Sequence, residues 1–317
     1  MSGDFFFQLD IPEPDVNLGA GGGSQAQQTG AIMIGFEQEL LTHRPDLVLV
    51  VGDVISTMAC AITAKKLEIK VAHVEAGIRS GDMSMPEEIN CLVTDAICDY
   101  FFTTTLEADE NLIRNGVPIS AVFFVGNTMI DSLLSNLDKL NEPEFFKKQN
   151  LKVRDYFLLT LHRPSNVDTE GNLSRMLQLI MENVKKFHVI FPVHPGTRQK
   201  LERIGFSNPY LVDVDPLGYH EFIYLVKNAK AIITDSGGIT EEATVLGVPC
   251  MTMRDSTERP ETISIGTNVL IGTNPEALKP YLQMVLEGKW KKGGIPDKWD
   301  GKATQRIVDE ILNNIIL

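Results

Sequence analysis

Residues 234–261, TDSGGITEEATVLGVPCMTMRDSTERPE, decide the fold that the sequence predicts. An apolar run at 231–233 leads into the turn DSGG at 235–238, and a segment of helical composition follows. That segment ends at Gly247, before a second, mostly apolar run at 248–253. The order predicts a strand, a glycine turn, a helix and another strand, which is the repeating unit of an α/β fold.

The glycine turn predicts a phosphate site. Gly237 and Gly238 let the backbone approach a ligand closely, and the N–H groups at the start of the next helix favour an anion beside Ser236. Glu241 and Glu242 are predicted in the first turn, where a carboxylate complements the helix dipole. One of them would also reach the hydroxyls of a ribose. We predict that this stretch binds a nucleoside diphosphate, although such turns are common in α/β proteins.

The composition is that of a globular protein with room for two α/β domains. The chain has 317 residues, 43% of them hydrophobic, and a net charge of -13. This charge disfavours nucleic acid and anionic membranes as partners, because both would be repelled. An anionic substrate would therefore have to meet local basic groups.

The cysteines indicate a reducing compartment. Cys60, Cys91, Cys98 and Cys250 form no C-x-x-C pair, so we expect no zinc site. We also expect no other metal and no cofactor. We also expect neither a transmembrane helix nor a signal peptide, because no apolar span is long enough to cross a bilayer and the start lacks a basic segment followed by an apolar one. The expected location is the cytoplasm.

Strands alternate with helices along most of the chain, which predicts parallel sheets with helices on both faces. We predict two Rossmann-like domains, at 1–145 and 146–300, and a C-terminal helix at 301–317 that packs back toward the first domain. Predicted strands lie near 47–51, 70–75, 99–103, 121–125, 156–161, 188–193, 210–213, 230–234, 250–253 and 268–271. Ligands of open α/β sheets bind beyond the carboxyl ends of the strands, so the active site is expected in the interdomain cleft.

The start of the chain departs from this pattern. Residues 1–30 supply a short apolar piece, a proline-rich turn and a Gly/Ser/Gln loop, whereas a doubly wound domain normally begins with a buried strand and a glycine turn. The expectation is that a first strand-helix unit is missing ahead of Met1.

Three acids follow apolar strands or open a helix in the first half. Asp53 follows LVLVVG, Glu75 ends KVAHVE, and Glu87 lies just after Pro86. Three acids on one rim suit acid–base catalysis. Taken singly, each has a structural explanation: Asp53 could cap a loop, and Ser84 and Glu87 fit a capping box. His73, on the same strand as Glu75, fits a core histidine.

Cationic and hydrogen-bonding groups follow the strands of the second half, as an anionic ligand in an acidic protein requires. His188 and His220 are assigned no role. The candidate ligand-binding groups are His162, Arg163, His194, Arg254 and Arg259.

The motifs together resemble the non-hydrolysing UDP-N-acetylglucosamine 2-epimerases along essentially the whole chain. This family has a two-domain glycosyltransferase-B-like architecture, forms homodimers, and interconverts UDP-N-acetylglucosamine and UDP-N-acetylmannosamine for surface polysaccharides. UDP is eliminated to leave a 2-acetamidoglucal and is then added back. The motifs that carry the resemblance are GDVIST (52–57), HVEAGIRSGD (73–82), MPEEIN (85–90), FVGNTMIDSL (124–133), LTLHRPSNVD (159–168), FPVHPGTR (191–198), TDSGGITEEA (234–243) and TERPETISIGTN (257–268).

The resemblance also implies roles for individual residues. The catalytic set would be Asp53, Glu75, Glu87 and His162, with the histidine near the diphosphate. The groups expected to hold the UDP moiety are Arg163, His194, Ser236, Gly237, Gly238, Glu242 and Arg259. Removing a proton beside an acetamido group needs a base and an acid on opposite faces, and the departing diphosphate needs donors and positive charge.

The sequence differs from the family in three places. The family's N-terminal strand and glycine/arginine turn have no counterpart, Cys91 stands where the family has an arginine one turn after Glu87, and Thr240 replaces a glutamine. The first difference also removes part of the site where related bacterial enzymes bind an activating UDP-sugar. We expect a chain that binds UDP but epimerises more slowly than a full-length relative.

Three alternatives stay open from the sequence. The substrate could be a UDP-2,3-diacetamido sugar, the chain could be a glycosyltransferase of the same architecture, or it could be an inactive UDP-binding remnant. Deuterium incorporation at C2 without an acceptor separates the epimerase from the transferase. A remnant would bind UDP and release no glucal.

Overall fold

The computed structural model describes residues 8–167 and 170–315, which form two compact units. The N-terminal unit comprises residues 13–131 and 297–315, and the C-terminal unit comprises residues 8–12 and 132–296. Each unit is an α/β fold around one parallel sheet. Among the described residues, no helix is both long enough and apolar enough to cross a membrane.

The sheet of the N-terminal unit has four parallel strands in the order β1-β2-β3-β4. Strand β1 is covered on one face only, since Val48 and Val50 are buried and Leu49 and Val51 are exposed, whereas β2 and β3 are buried along most of their length. The elements are α1 (Gln25–Thr42), β1 (Leu47–Val51), α2 (Ile55–Lys66), β2 (Lys70–Ala76), α3 (Pro86–Ile97), β3 (Tyr100–Thr103), α4 (Leu106–Arg114) and β4 (Val122–Phe124).

The end of the chain belongs to this same unit. Helix α14 (Ala303–Glu310) is followed by a π-helical turn at Ile311–Ile315, and Asp131 accepts hydrogen bonds from the first backbone N–H groups of α14. Ile307 packs against the sheet, in a cluster with Val74 and other apolar residues of β2 and β3. The C-terminal segment therefore covers apolar sheet surface of the N-terminal unit. The last two residues of the predicted helix lie outside the described residues.

The sheet of the C-terminal unit has six parallel strands in the order β10-β9-β8-β5-β6-β7. Chain order reverses between β5 and β8, so the unit has a topological switch point there. Its elements are α5 (Thr128–Ser135, which starts in the N-terminal unit), α6 (Glu144–Lys148), β5 (Tyr156–Thr160), α7 (Pro164–Val167), α8 (Glu170–Val184), β6 (His188–Pro192), α9 (Pro195–Ile204), β7 (Leu211–Val214), α10 (Tyr219–Asn228), β8 (Ala231–Thr234), α11 (Gly237–Val245), β9 (Cys250–Thr252), α12 (Pro260–Ser264), β10 (Asn268–Leu270) and α13 (Leu278–Leu286).

The units divide between Asp131 and Ser132 rather than near residue 145. The reason lies in side chains of the segment after residue 131, which bond to α10 and pack on β5. Asn136 bonds to His220, and the ring of Phe146 packs edge-on against Tyr156. These contacts join residues far apart in sequence, and the composition of the segment does not reveal them.

Candidate functional site

His162 and Asp235 meet at the switch point of the C-terminal unit. His162 follows β5 and Asp235 follows β8, the two strands between which the chain order reverses. The imidazole Nδ1 lies 2.8 Å from Asp235 Oδ1, and the side chain of His162 stays half exposed while that of Asp235 is buried. An aspartate that holds one ring nitrogen fixes the orientation of the ring and leaves the other nitrogen for a ligand.

Asp235 also organises the backbone around it. Its carboxylate accepts hydrogen bonds from the backbone N–H groups of His162 and Arg163 and from the side chain of Asn166. Burial alone would raise the pKa of Asp235, but the bonds from His162 and Asn166 and the charge of His162 lower it. The aspartate is thus held ionised at the base of the loop that carries His162 and Arg163.

The glycine turn after β8 leads into α11 as predicted. Ser236 is the N-cap, its side chain makes no capping bond, and Gly237 is the first helical residue. The guanidinium of Arg254 lies beside this turn and makes two bonds to Glu258, at 2.8 and 2.5 Å. A Cβ added at Gly237 would lie 3.6 Å from Arg254 Nη1. Helix N–H groups and a buried arginine therefore stand side by side, which suits a phosphate.

Glu241 and Glu242 were predicted in the first turn of α11, and this is wrong. The helix begins at Gly237, so both acids lie in its second turn, where the dipole explanation loses force. Glu241 instead forms an ion pair with Arg259, 3.0 Å from carboxylate to Nε. Glu242 is 6% exposed, and burial together with the charge of Glu241 raises its pKa to about 8. A buried acid one turn into the helix is suited to hydroxyl groups of a ligand.

A cavity of about 180 Å³ lies beside His162 in the C-terminal unit. Pro216, Leu217 and Phe222 give it an apolar wall, and His194 lies on its rim. The Nδ1 of His194 accepts a bond from the backbone N–H of Gly196, so the outward ring nitrogen is the donor. The sequence did not indicate Phe222 or Leu217 as cavity residues. Phe222 lies on the amphipathic helix α10, where an apolar residue predicts core, and Leu217 lies in the loop before that helix.

In the N-terminal unit, Asp53 and Glu87 line one cavity of about 350 Å³ with Gln25 and Gln28 of α1. Its other lining residues are Ile32, Val54, Ile55, Ser56, Pro86 and Asn90. The structure thus brings two of the three predicted acids together, and it adds two glutamines that the motifs did not indicate. Glu75 is not among the lining residues.

The capping box proposed for Glu87 does not form. The N-cap of α3 is Met85, which makes no side-chain bond, and Ser84 donates to Asp82 instead, at 2.6 Å. Glu87 is exposed at the start of the helix. The structural explanation that competed with a catalytic role therefore fails in this form.

Glu75, the next-to-last residue of β2, has an unusual backbone conformation. Its φ is 68°, in the left-handed region, and the pairing of β2 with β3 shifts register between Val74 and Ala76. A bulge at a strand end re-aims one side chain, and a non-glycine residue in this region carries strain that is common at functional sites. Sequence periodicity gives no sign of such a bulge.

Comparisons with known proteins agree on one family. A family model described as UDP-N-acetylglucosamine 2-epimerase matches residues 1–312. A Methanocaldococcus jannaschii protein named UDP-N-acetylglucosamine 2-epimerase is 43% identical over 96% of this chain and 85% of its own length. A Pseudomonas aeruginosa protein named UDP-2,3-diacetamido-2,3-dideoxy-D-glucuronate 2-epimerase is 40% identical over 98% of this chain and 86% of its own.

Solved structures show the same likeness. The crystal structure of the M. jannaschii UDP-GlcNAc 2-epimerase in complex with UDP-GlcNAc and UDP superimposes with a TM-score of 0.84. It is 43% identical to this chain, and the match covers 98% of this chain and 88% of that one. The predicted fold class, two Rossmann-like domains with parallel sheets of the glycosyltransferase-B-like kind, is confirmed.

Proposed function

Because the chain belongs to the UDP-N-acetylglucosamine 2-epimerase family, we propose that it interconverts UDP-N-acetylglucosamine and UDP-N-acetylmannosamine. The observation that carries the proposal is the loop that Asp235 holds at the switch point, because it places His162 next to the N-terminus of α11. This arrangement offers hydrogen-bond donors to a diphosphate, which is the leaving group of the reaction.

The C-terminal unit supplies the groups that hold UDP. The diphosphate lies at Ser236, Gly237 and Gly238, where the helix N–H groups offset its charge. Glu242, one turn further along, accepts from the ribose hydroxyls. Helix α11, which carries Glu242, packs against α10, the helix that carries Phe222. The apolar cavity beside Phe222 then binds the nucleobase of UDP.

The N-terminal unit supplies the acids for the chemistry at C2. One carboxylate of Asp53, Glu75 and Glu87 removes the C2 proton as the C1–O bond breaks, and UDP leaves with the electrons of that bond. His162, oriented by Asp235, donates to the departing diphosphate. A second carboxyl group returns a proton to the opposite face of C2 while UDP adds back at C1. The sugar changes configuration and no atom is gained or lost apart from the exchanged proton.

The test is turnover of UDP-N-acetylglucosamine in D₂O with no acceptor present. We expect UDP-N-acetylmannosamine to appear with deuterium at C2, together with traces of free UDP and 2-acetamidoglucal. A glycosyltransferase would leave C2 unlabelled. Tight UDP binding with no label and no glucal would identify an inactive remnant and overturn the proposal.

A second substrate is favoured by one specific observation. The P. aeruginosa relative, whose name specifies a 2,3-diacetamido glucuronate, is nearly as similar to this chain as the M. jannaschii protein. Both UDP-sugars share the nucleotide and the acetamido group at C2, so the same acids serve either. Parallel assays of the two substrates at matched concentrations, compared by kcat/KM, decide between them.

We further propose a cytoplasmic homodimer. The family resemblance supports the dimer, and the four free cysteines, Cys60, Cys91, Cys98 and Cys250, suit a reducing compartment. Sedimentation equilibrium would report the mass: a single 35.2 kDa species at micromolar concentration contradicts the dimer.

A further inference from the structure

We propose that His73, Asp95 and Arg79 form a buried positioning network that holds Asp53, Glu75 and Glu87 in place for proton transfer. The catalytic effect of this network rests on the proposed function, whereas the contacts that form the network do not. None of the three network residues is assigned a role by the motifs, and the sequence predicts a core position for His73.

His73 is held at both ring nitrogens and is 0% exposed. Its Nε2 lies 2.9 Å from the carbonyl oxygen of Gly52, and its Nδ1 lies 2.7 Å from Asp95 Oδ1. A carbonyl oxygen can only accept, so Nε2 carries a hydrogen, and Nδ1 faces a carboxylate that also accepts. Polar partners at both ring nitrogens fix the orientation of the ring and tie it to Gly52 on one side and to α3 on the other.

Asp95 also bonds to the loop after β2. Its second oxygen, Oδ2, lies 2.6 Å from Arg79 Nη2 and accepts from the backbone N–H of Gly77 at 3.1 Å. Arg79 in turn donates to the carbonyl of Ile78 at 2.8 Å. The Asp95 and Arg79 side chains are 4% and 13% exposed, so the pair is shielded from water and a broken partner would be costly.

The network touches every segment that carries a predicted acid. Gly52 directly precedes Asp53, and His73 and Gly77 flank Glu75, each two residues away. Asp95 lies on α3, the helix that begins beside Glu87. A further bond links α3 to the segment of Asp53, since the side chain of Asn90 donates to the carbonyl of Asp53 at 2.8 Å.

The loop itself has little freedom to move independently. Gly77 has a φ of 77°, and an added Cβ there would lie 2.3 Å from the backbone oxygen of Ala108. The strained backbone of Glu75 is therefore held on one side by β2 and on the other by a bond to Asp95. Strain of this kind persists only where the surroundings impose it. His73, Asp95 and Arg79 are positioning residues, since they act through the acids rather than on the substrate.

Asp99 provides a matched control within the same unit. Like Asp95, it pairs with a cation, Lys65 Nζ at 2.7 Å, and accepts from a backbone N–H of β2, that of Val71 at 2.8 Å. Val71 lies near the start of β2, whereas Glu75 lies at its end. The two aspartates thus have the same kinds of partner. Asp95 is 4% exposed and bonds just beyond the end of β2, whereas Asp99 is 31% exposed and bonds near its start.

The experiment compares Asp95→Asn, Asp99→Asn and wild type in turnover, UDP affinity and amide hydrogen exchange. For Asp95→Asn we expect kcat to fall about 10²-fold, because small displacements of reacting groups cost that much, with UDP affinity unchanged. Amides in segments 52–57 and 75–80 should exchange faster. Asp99→Asn should keep wild-type kcat and wild-type exchange in these two segments.

Equal kcat in Asp95→Asn and wild type, or equal loss in both variants, overturns the proposal. If Asp95→Asn does not fold, His73→Gln replaces it in the experiment. This variant keeps one hydrogen-bond donor, so we expect a smaller fall in kcat than for Asp95→Asn and faster amide exchange mainly in segment 52–57. If wild type itself lacks epimerase activity, the proposed function fails. The exchange comparison still judges the network, since unchanged protection in both segments contradicts it without any substrate.

Discussion

Glu242 is buried beside a second acid, and we propose that it binds the ribose of the ligand. It is buried in the second turn of α11, next to Glu241, and the ribose site is assigned to it. We expect Glu242→Ala to weaken UDP binding by about 1–3 kcal/mol, the cost of leaving hydroxyl partners unpaired. Titration calorimetry with UDP measures this, with Glu202→Ala, an exposed acid on α9, as the control. Equal affinities in wild type and Glu242→Ala would remove Glu242 from the site.

The raised pKa of Glu242 also predicts how stability depends on pH. In the unfolded chain this acid loses its proton near pH 4.5, whereas in the folded protein its pKa is about 8. The folded state therefore binds more protons between these values, and its stability falls as pH rises from 4.5 through 8. The loss amounts to a few kcal/mol at about 1.4 kcal/mol for each pKa unit.

Glu242→Gln removes this titration and keeps the shape of the side chain. We expect the variant to gain stability relative to wild type as pH rises from 5 to 9, as measured by urea unfolding at several pH values. A constant difference across that range would contradict a buried, protonated Glu242.

At the scale of elements, the start of α3 and the ends of β1 and β2 carry the predicted acids. Replacing Asp53, Glu75 or Glu87 by its amide should lower kcat about 10²-fold and leave UDP affinity nearly unchanged, because the groups assigned to UDP lie in the other unit. Glu107→Gln is the control for Glu87→Gln, since Glu107 is an exposed acid in the first turn of α4. Full turnover in Glu87→Gln would leave that residue without a catalytic role.

Cys91, on α3 one turn after Glu87, is the position where the family resemblance implies an arginine. Its side chain is 4% exposed. Burial, and to a smaller extent the charges of Asp95 and Asp53, raises the pKa of its thiol to about 12. A neutral thiol cannot replace a charge-assisted donor. We expect Cys91→Arg to raise kcat severalfold, and Cys91→Met, which adds length without charge, to have no such effect. Steady-state kinetics that show the same kcat in both variants would contradict this.

At the scale of the whole molecule, the chain leaves the N-terminal unit at residue 131 and returns at residue 297. The returning segment buries Ile307 against the sheet that carries the acids, while Val308, its neighbour, is 43% exposed. Ile307→Ala should therefore lower the unfolding free energy of this unit by about 2–4 kcal/mol, and Val308→Ala by less than about 0.5 kcal/mol.

The measurement uses the two tryptophans. Trp299 is buried in the N-terminal unit and Trp290 belongs to the other, so urea unfolding in a Trp290→Phe background reports the unit of interest. UDP affinity should stay the same in both variants. A transition at the same urea concentration in Ile307→Ala and Val308→Ala would show that the C-terminal segment does not stabilise this unit.

The sequence by itself determined the elements and the family. Apolar runs, glycine turns and helical spacing are local properties, so the ten predicted strands agree with the structure to within one or two residues. The same turns placed Asp53, Ser236 and Gly237 at strand ends or at a helix N-terminus. The motifs between them carried the family resemblance, which the comparisons confirm.

Only the tertiary structure decided how these residues are held. Asp235 fixes the loop after β5 because His162 and Asn166, about 70 residues away in sequence, donate hydrogen bonds to its carboxylate. The pKa of Glu242 is raised because its surroundings exclude water and because Glu241 lies beside it, and Phe222 lines a cavity beside His162. Burial and long-range approach are properties of the packed chain rather than of any one segment, and local pattern therefore cannot specify them.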